Sequence, residues 1–134
     1  MDIRQITPAY ASSPQIDPAD AGTIKAAGFD TVICNRPDAE VPPSHQADTI
    51  RAAIEAEGMT FVNNPVTHQG LNPDMVALQA QAAAGGKTLA YCASGTRSTI
   101  VWALGQAGTL SPEEIIAAAA QGGYDISGLR DRLG

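Results

Sequence analysis

Short runs of β-forming residues alternate along this chain with longer helical patterns, and that rhythm restricts it to a layered α/β arrangement. Residues 31–35 (TVICN), 60–64 (TFVNN) and 87–91 (KTLAY) are the strand candidates, preceded by the helix-stopping glycines Gly28, Gly58 and the pair Gly85 and Gly86. Asp17-Pro18, Asn72-Pro73 and Ser111-Pro112 each set a capping side chain before a proline suited to the first helical position, and Glu114 completes a capping box with Ser111. Residues 44–57 carry Ile50, Ala53, Ile54 and Ala56 on one side and Asp48, Arg51 and Glu55 on the other, the pattern of a helix lying on a sheet. Residues 99–104 (TIVWAL) are apolar nearly all round, which predicts a buried helix whose N-terminus opens into a cleft. The first sixteen residues predict an edge hairpin. No repeat or linker interrupts the pattern, so residues 1–134 are expected to form one domain: a central, mostly parallel sheet flanked by helices in three layers.

Composition narrows the function. Of the 44% apolar residues, 24 are alanines, enough larger side chains remaining for one α/β core. The net charge of −6, with no basic run, offers nucleic acid no surface for counterion release. No window approaches a membrane span, and the start lacks the apolar core of a signal peptide, so a soluble, cytoplasmic protein is expected. Two cysteines, Cys34 and Cys92, do not make a disulfide framework and are expected as thiols.

The chemistry concentrates between the strand KTLAY and the apolar helix, in Cys92-Ala93-Ser94-Gly95-Thr96-Arg97-Ser98. A loop of small residues entering a helix turns its N–H groups inward as a nest, and the helix dipole adds positive charge at the same spot. Lowering a thiol pKa by three units requires a preference for the thiolate of about 4 kcal/mol. The dipole supplies ~0.3 to 2 kcal/mol. Arg97, folding back over the ring, the loop amides and the Ser98 hydroxyl are expected to supply the rest. Cys92 is thus the candidate nucleophile, with Arg97 and Ser98 as catalytic partners and Ala93, Ser94, Gly95 and Thr96 as the anion cradle.

The loop CASGTRS resembles the active-site loops of cysteine-dependent phosphatases and of rhodanese-type sulfurtransferases. Phosphatases place five residues between cysteine and arginine, whereas four separate Cys92 from Arg97, the count of the six-residue rhodanese loop. The whole chain is similar to the phosphatase-like domain that occurs alone in bacteria or within beta-lactamase hydrolase-like proteins. There it lies beside a metallo-hydrolase resembling persulfide dioxygenases. The resemblance is carried by residues 3–6, by residues 28–33 (GFDTVI) with Arg36-Pro37-Asp38, by the loop with Trp102 and Ala103 after it, and by Gly123-Tyr124-Asp125-Ile126.

The resemblance implies a dual-specificity-phosphatase-like fold, no cofactor or metal, and a functional link to such a persulfide-dioxygenase-like partner. Two chemistries remain open. A Cys92 persulfide would serve a sulfurtransferase acting on small anionic, persulfide or thiol substrates. A Cys92 phosphocysteine would serve a phosphatase acting on phosphomonoesters, which needs a proton donor for the leaving alkoxide. Tyr91 stands where phosphatases carry histidine, and the upstream region where their acid lies reads Val66-Thr67-His68-Gln69-Gly70, without a carboxylate. His68 and Asp74 are the substitute acids to consider. Cys34 is a candidate resolving thiol, and Arg36 a candidate for steering the substrate or pairing with Asp38. A catalytically weak module that binds anions or senses persulfides is a third reading.

Overall fold

The computed structural model describes residues 1–67 and 70–134. Five short strands form one sheet: β1 (Arg4–Thr7), β2 (Tyr10–Ser13), β3 (Thr31–Cys34), β4 (Thr60–Asn63) and β5 (Thr88–Tyr91), in the order β1-β2-β5-β3-β4. β1 runs antiparallel to β2, and every other pairing is parallel. The expected hairpin therefore forms, but of its two strands only β1 lies at an edge of the sheet. β2 bonds to β5 on its other side because Tyr10, Ala11, Ser12 and Ser13 are all buried.

Both faces are covered, as a parallel sheet requires, and successive residues divide between them. Val32, Cys34, Leu89 and Tyr91 pack with Ile24 of α1 (Ala21–Ala26) and with Ile50 and Ile54 of α2 (Ala47–Ala56). Ile33 and Ala90 point the other way. They join Trp102 and Ala103 of α4 (Thr96–Gln106), Ile115 and Ala119 of α5 (Pro112–Gln121), and Leu133 at the chain end. The helix α3 (Pro73–Ala83) lies against α4 on this second face.

Helix boundaries follow local chemistry. Asn72 and Ser111 cap α3 and α5 as their side chains predict, and Ser111 and Glu114 form the reciprocal box. Asp17 caps a 3-10 turn, Pro18–Asp20, rather than α1 itself.

One feature of the interior is polar. Gln79, the only residue of α3 that is fully buried, donates to Asn35 Oδ1 (2.9 Å) and Tyr10 Oη (3.0 Å). Its carbonyl accepts from Asn35 Nδ2 (2.8 Å) and Asn64 Nδ2 (2.9 Å). Both asparagines follow the last residue of a strand, at places where sequence pattern alone extends β3 and β4 by one residue. Removing the amide leaves several buried groups unpaired, each costing about 1–3 kcal/mol. Gln79→Leu is therefore expected to lower unfolding free energy in urea by roughly 2–5 kcal/mol. A loss below ~1 kcal/mol would show that these groups find other partners.

Candidate active site

Because β2, β5, β3 and β4 are parallel, their C-terminal ends gather at one rim, and α2 and α3 leave that rim on opposite faces. Such a crevice is where open α/β sheets take ligands. Cys92 follows β5 at this rim and is fully buried. Its backbone N–H donates to Ser13 O (3.4 Å), and Gln15 N–H donates to Ala93 O (3.2 Å), so the loop is stitched to the end of β2.

The turn is made by Gly95, at φ +97°, which sends its N–H onto Cys92 Sγ at 3.0 Å and caps α4. No L side chain is at ease there. A Cβ would also collide with the hydroxyl of Tyr124 and approach its Cζ to 2.8 Å. Tyr124 is the brace: its hydroxyl donates to Ser94 O at 2.9 Å. The Ser94 hydroxyl accepts from Thr96 N–H (3.3 Å) and donates to Thr96 Oγ1 (3.0 Å), closing the cradle locally.

Arg97 is the second residue of α4, buried to 8% side-chain exposure. Nη2 donates to Glu40 Oε1 at 2.7 Å, and Nη1 donates to Glu40 Oε2 at 2.9 Å and to Val66 O at 2.8 Å. Of the five N–H donors on a guanidinium, these contacts leave Nε–H and one N–H of Nη2, which lie side by side on one edge. The pairing with Glu40 raises the Arg97 pKa, and the nearby Cys92 adds to the effect. Conversely the Arg97 guanidinium, bonded to it directly, holds the Glu40 carboxyl below its ordinary range.

The remaining expected residues are placed as follows. Ser98, expected beside the thiol, turns its hydroxyl to Asn35 Oδ1 at 2.9 Å, because one step along the helix from Arg97 faces the buried amides instead of the cradle. Its carbonyl accepts from Tyr10 Oη (2.8 Å). Arg36 does not pair with Asp38: it binds Glu40 (3.2 Å) and Gln15 (3.3 Å), while Asp38 accepts from Ala47 N–H at the start of α2. Asp74 is exposed in the first turn of α3, where the helix dipole accounts for a carboxylate. His68 lies outside the described residues.

Cys34 ends β3 in register with Tyr91, and burial raises its thiol pKa. Its Sγ donates to Arg36 O (3.3 Å). The Tyr91 hydroxyl, also buried, meets no partner at hydrogen-bonding geometry among the described residues, although it lies near enough to the Cys34 thiol to interact with it. Among the described residues, no group of three or more His, Cys, Asp or Glu side chains is placed to hold a metal ion, and no helix is long and apolar enough to cross a membrane.

Residues 2–109 match the family described as the phosphatase-like domain of beta-lactamase hydrolase-like protein. The chain belongs to that family. A curated relative, the beta-lactamase hydrolase-like protein of Agrobacterium fabrum, is 32% identical over 120 residues, covering 87% of this chain and 27% of its own length. The chain thus spans about a quarter of that relative. Among solved structures, a candidate phosphatase from Neisseria meningitidis is 33% identical with a TM-score of 0.85, covering 99% of this chain and 96% of its own. Pseudomonas aeruginosa TpbA, solved as a cysteine-to-serine variant in complex with phosphotyrosine, shares the fold at 14% identity and a TM-score of 0.66, covering 98% of this chain and 80% of its own. The dual-specificity-phosphatase-like fold expected from the resemblance is the one observed.

Glu40 is the site residue that sequence reasoning overlooked. Its only signal was the spacing Arg36-x-x-x-Glu40 just after a strand, which reads equally as a surface pair.

Two outcomes follow from this geometry. Gly95→Ala is expected to cost about 1–3 kcal/mol in urea unfolding, since it imposes backbone strain and displaces Tyr124. A variant as stable as the parent would mean that the turn tolerates another conformation. For Glu40, a folded pKa below the unfolded one means that its stabilisation is complete above the ordinary carboxylate range and is lost as pH falls through the folded value. The parent should therefore exceed Glu40→Gln in stability at pH 7, with the gap closing on acidification. A gap that stays constant with pH would remove the ionic role of the pair.

Proposed function

We propose that this domain is a cysteine-dependent sulfurtransferase in which Cys92 carries the transferred sulfur as a persulfide. The observation that carries the reading is the commitment of Glu40 to Arg97. This carboxylate at the site binds protons less readily than usual, so it is a poor general acid at neutral pH. Chemistry whose leaving group departs as a stable anion suits such a site.

With thiosulfate as donor, the Cys92 thiolate attacks the outer sulfur. A new S–S bond forms, the donor's S–S bond breaks, and sulfite leaves with its electron pair. The free edge of Arg97 faces two sulfonate oxygens in bidentate fashion, and the Gly95 N–H supports the charge on Sγ. An acceptor thiolate then takes the outer sulfur and returns the electron pair to Cys92. No step requires a proton donor. Ala93, Ser94 and Thr96 give the loop little side-chain bulk beside Cys92.

A second reading, hydrolysis of phosphomonoesters through a Cys92 phosphocysteine, is favoured by the same fork on Arg97, which also fits two phosphate oxygens. The phosphotyrosine bound to TpbA on this fold supports it as well. It requires an acid to protonate the departing alkoxide.

Intact mass spectrometry decides between them. After thiosulfate, Cys92 should gain one sulfur atom and then release it to cyanide as thiocyanate. Cys92→Ser should do neither, and Arg97→Ala should slow transfer by about 10²–10³-fold. Many turnovers of an aryl phosphate with no persulfide on Cys92 would reverse the order of the two readings. Retention of an anion without turnover of either substrate would make the domain a binding or sensing module.

A further inference from the structure

A recess of about 230 Å³ opens beside Arg97, and its apolar walls come from Val66, Leu71, Ile100 and Leu129. Thr67 and Arg132 complete its lining. A second recess of about 410 Å³ lies between α3 and α4, lined in part by Val76 and Leu104. Leu71 and Arg132 belong to both, whereas Arg97 belongs only to the first. Arg132 therefore stands where the two hollows meet, and the buried guanidinium of the active site stands within the nearer one.

The two arginines differ in what they have left to bind. Arg97 is held by Glu40. Near the chain end, Arg130 pairs with Glu113, while no carboxylate among the described residues engages Arg132. An exposed cation at the junction of two apolar hollows selects a ligand with an aliphatic body and an anionic end. The nearer hollow alone accommodates a few methylene groups. Leu129 and Arg132 sit on the 3-10 segment Ser127–Arg132, beyond residues 2–109 that match the family.

We infer that the recess is the acceptor subsite of the transfer reaction and takes a low-molecular-weight thiol whose aliphatic chain ends in a carboxylate, sulfur toward Cys92 and carboxylate toward Arg132. This inference rests on the sulfur-transfer reading. The step it completes is attack by the acceptor thiolate on the outer sulfur of the Cys92 persulfide. The bond from that sulfur to Sγ breaks, the electron pair returns to Cys92, and the acceptor leaves as a persulfide. The acceptor's own proton has passed to water on ionisation. Arg132 is here a positioning residue, since it touches the tail and not the reacting sulfur.

Dihydrolipoate and dihydrolipoamide test this directly, because they carry the same dithiol and chain and differ only in carboxylate against neutral amide. With protein loaded from thiosulfate, kcat/KM should favour dihydrolipoate by about three- to tenfold, the scale of one partly exposed charge contact. Arg132→Gln should bring the ratio to about one, and Arg132→Lys should restore most of it. Equal rates for the two acceptors, or a preference that survives Arg132→Gln, overturns the assignment. Faster transfer to glutathione, a thiol with a polar body, overturns the aliphatic part.

Thiocyanate formation from thiosulfate and cyanide reports separately on the sulfur-transfer reading, since cyanide has no tail. Binding of octanoate against octanamide, followed by methyl resonances of Ile100 and Leu129, needs no turnover. Stronger binding of octanoate that weakens in Arg132→Gln supports the subsite even if the cyanide assay is blank. Identical binding of the two overturns it.

Discussion

The rim of the sheet depends on one buried side-chain amide. Gln79 holds Asn35, Asn64 and Tyr10 in a single hydrogen-bonded group, and Asn35 in turn accepts from Ser98. Its members come from β2, α3 and α4 and from the residues just past β3 and β4. In a dry interior such a group tolerates little slippage, because moving any member strands the others without partners. Ser98 is one residue beyond Arg97, so the network fixes the rotation of α4 and with it the direction in which the guanidinium leaves the helix.

Glu40 changes what that guanidinium offers. By pairing with two of its nitrogens, the carboxylate offsets most of its net charge while leaving one edge of donors outside the pair. Under the proposed function, recognition would depend more on the shape of an oxyanion than on long-range attraction, in keeping with a chain whose net charge is −6. Burial works in the opposite direction at Cys34. Its thiol is discouraged from ionising, whereas Cys92 receives a backbone N–H. The two cysteines thus occupy chemically distinct settings at one end of the sheet.

Local signals make much of this legible in the sequence. Ser111 and Asn72 cap helices because the hydrogen bonds involved span only three residues. The alternation of Val32, Ile33 and Cys34 across the sheet, and the placement of the cysteine loop between β5 and α4, are likewise written into neighbouring residues. What escaped reading depends on partners far apart in the chain. Glu40 meets Arg97 across 57 positions, and Asn35 meets Ser98 across 63. The sequence places the Ser98 hydroxyl beside the thiol, yet a single helical step from Arg97 turns it toward Asn35. The first sixteen residues predict an edge hairpin, and nothing in them announces that β5, some eighty positions later, claims its second side.

The reach of Tyr124 into the loop has a consequence for how such a domain travels between proteins. The family match spans residues 2–109, yet Tyr124 holds Ser94 in place and Ile115, Ile126 and Leu133 fill the core beneath α4. A graft carrying only the matched segment into another chain would bring the cysteine and the arginine without the residues that hold their loop in shape. The unit that holds the chemistry in shape is longer here than the segment the family match spans, and residues that brace it lie among the final dozen.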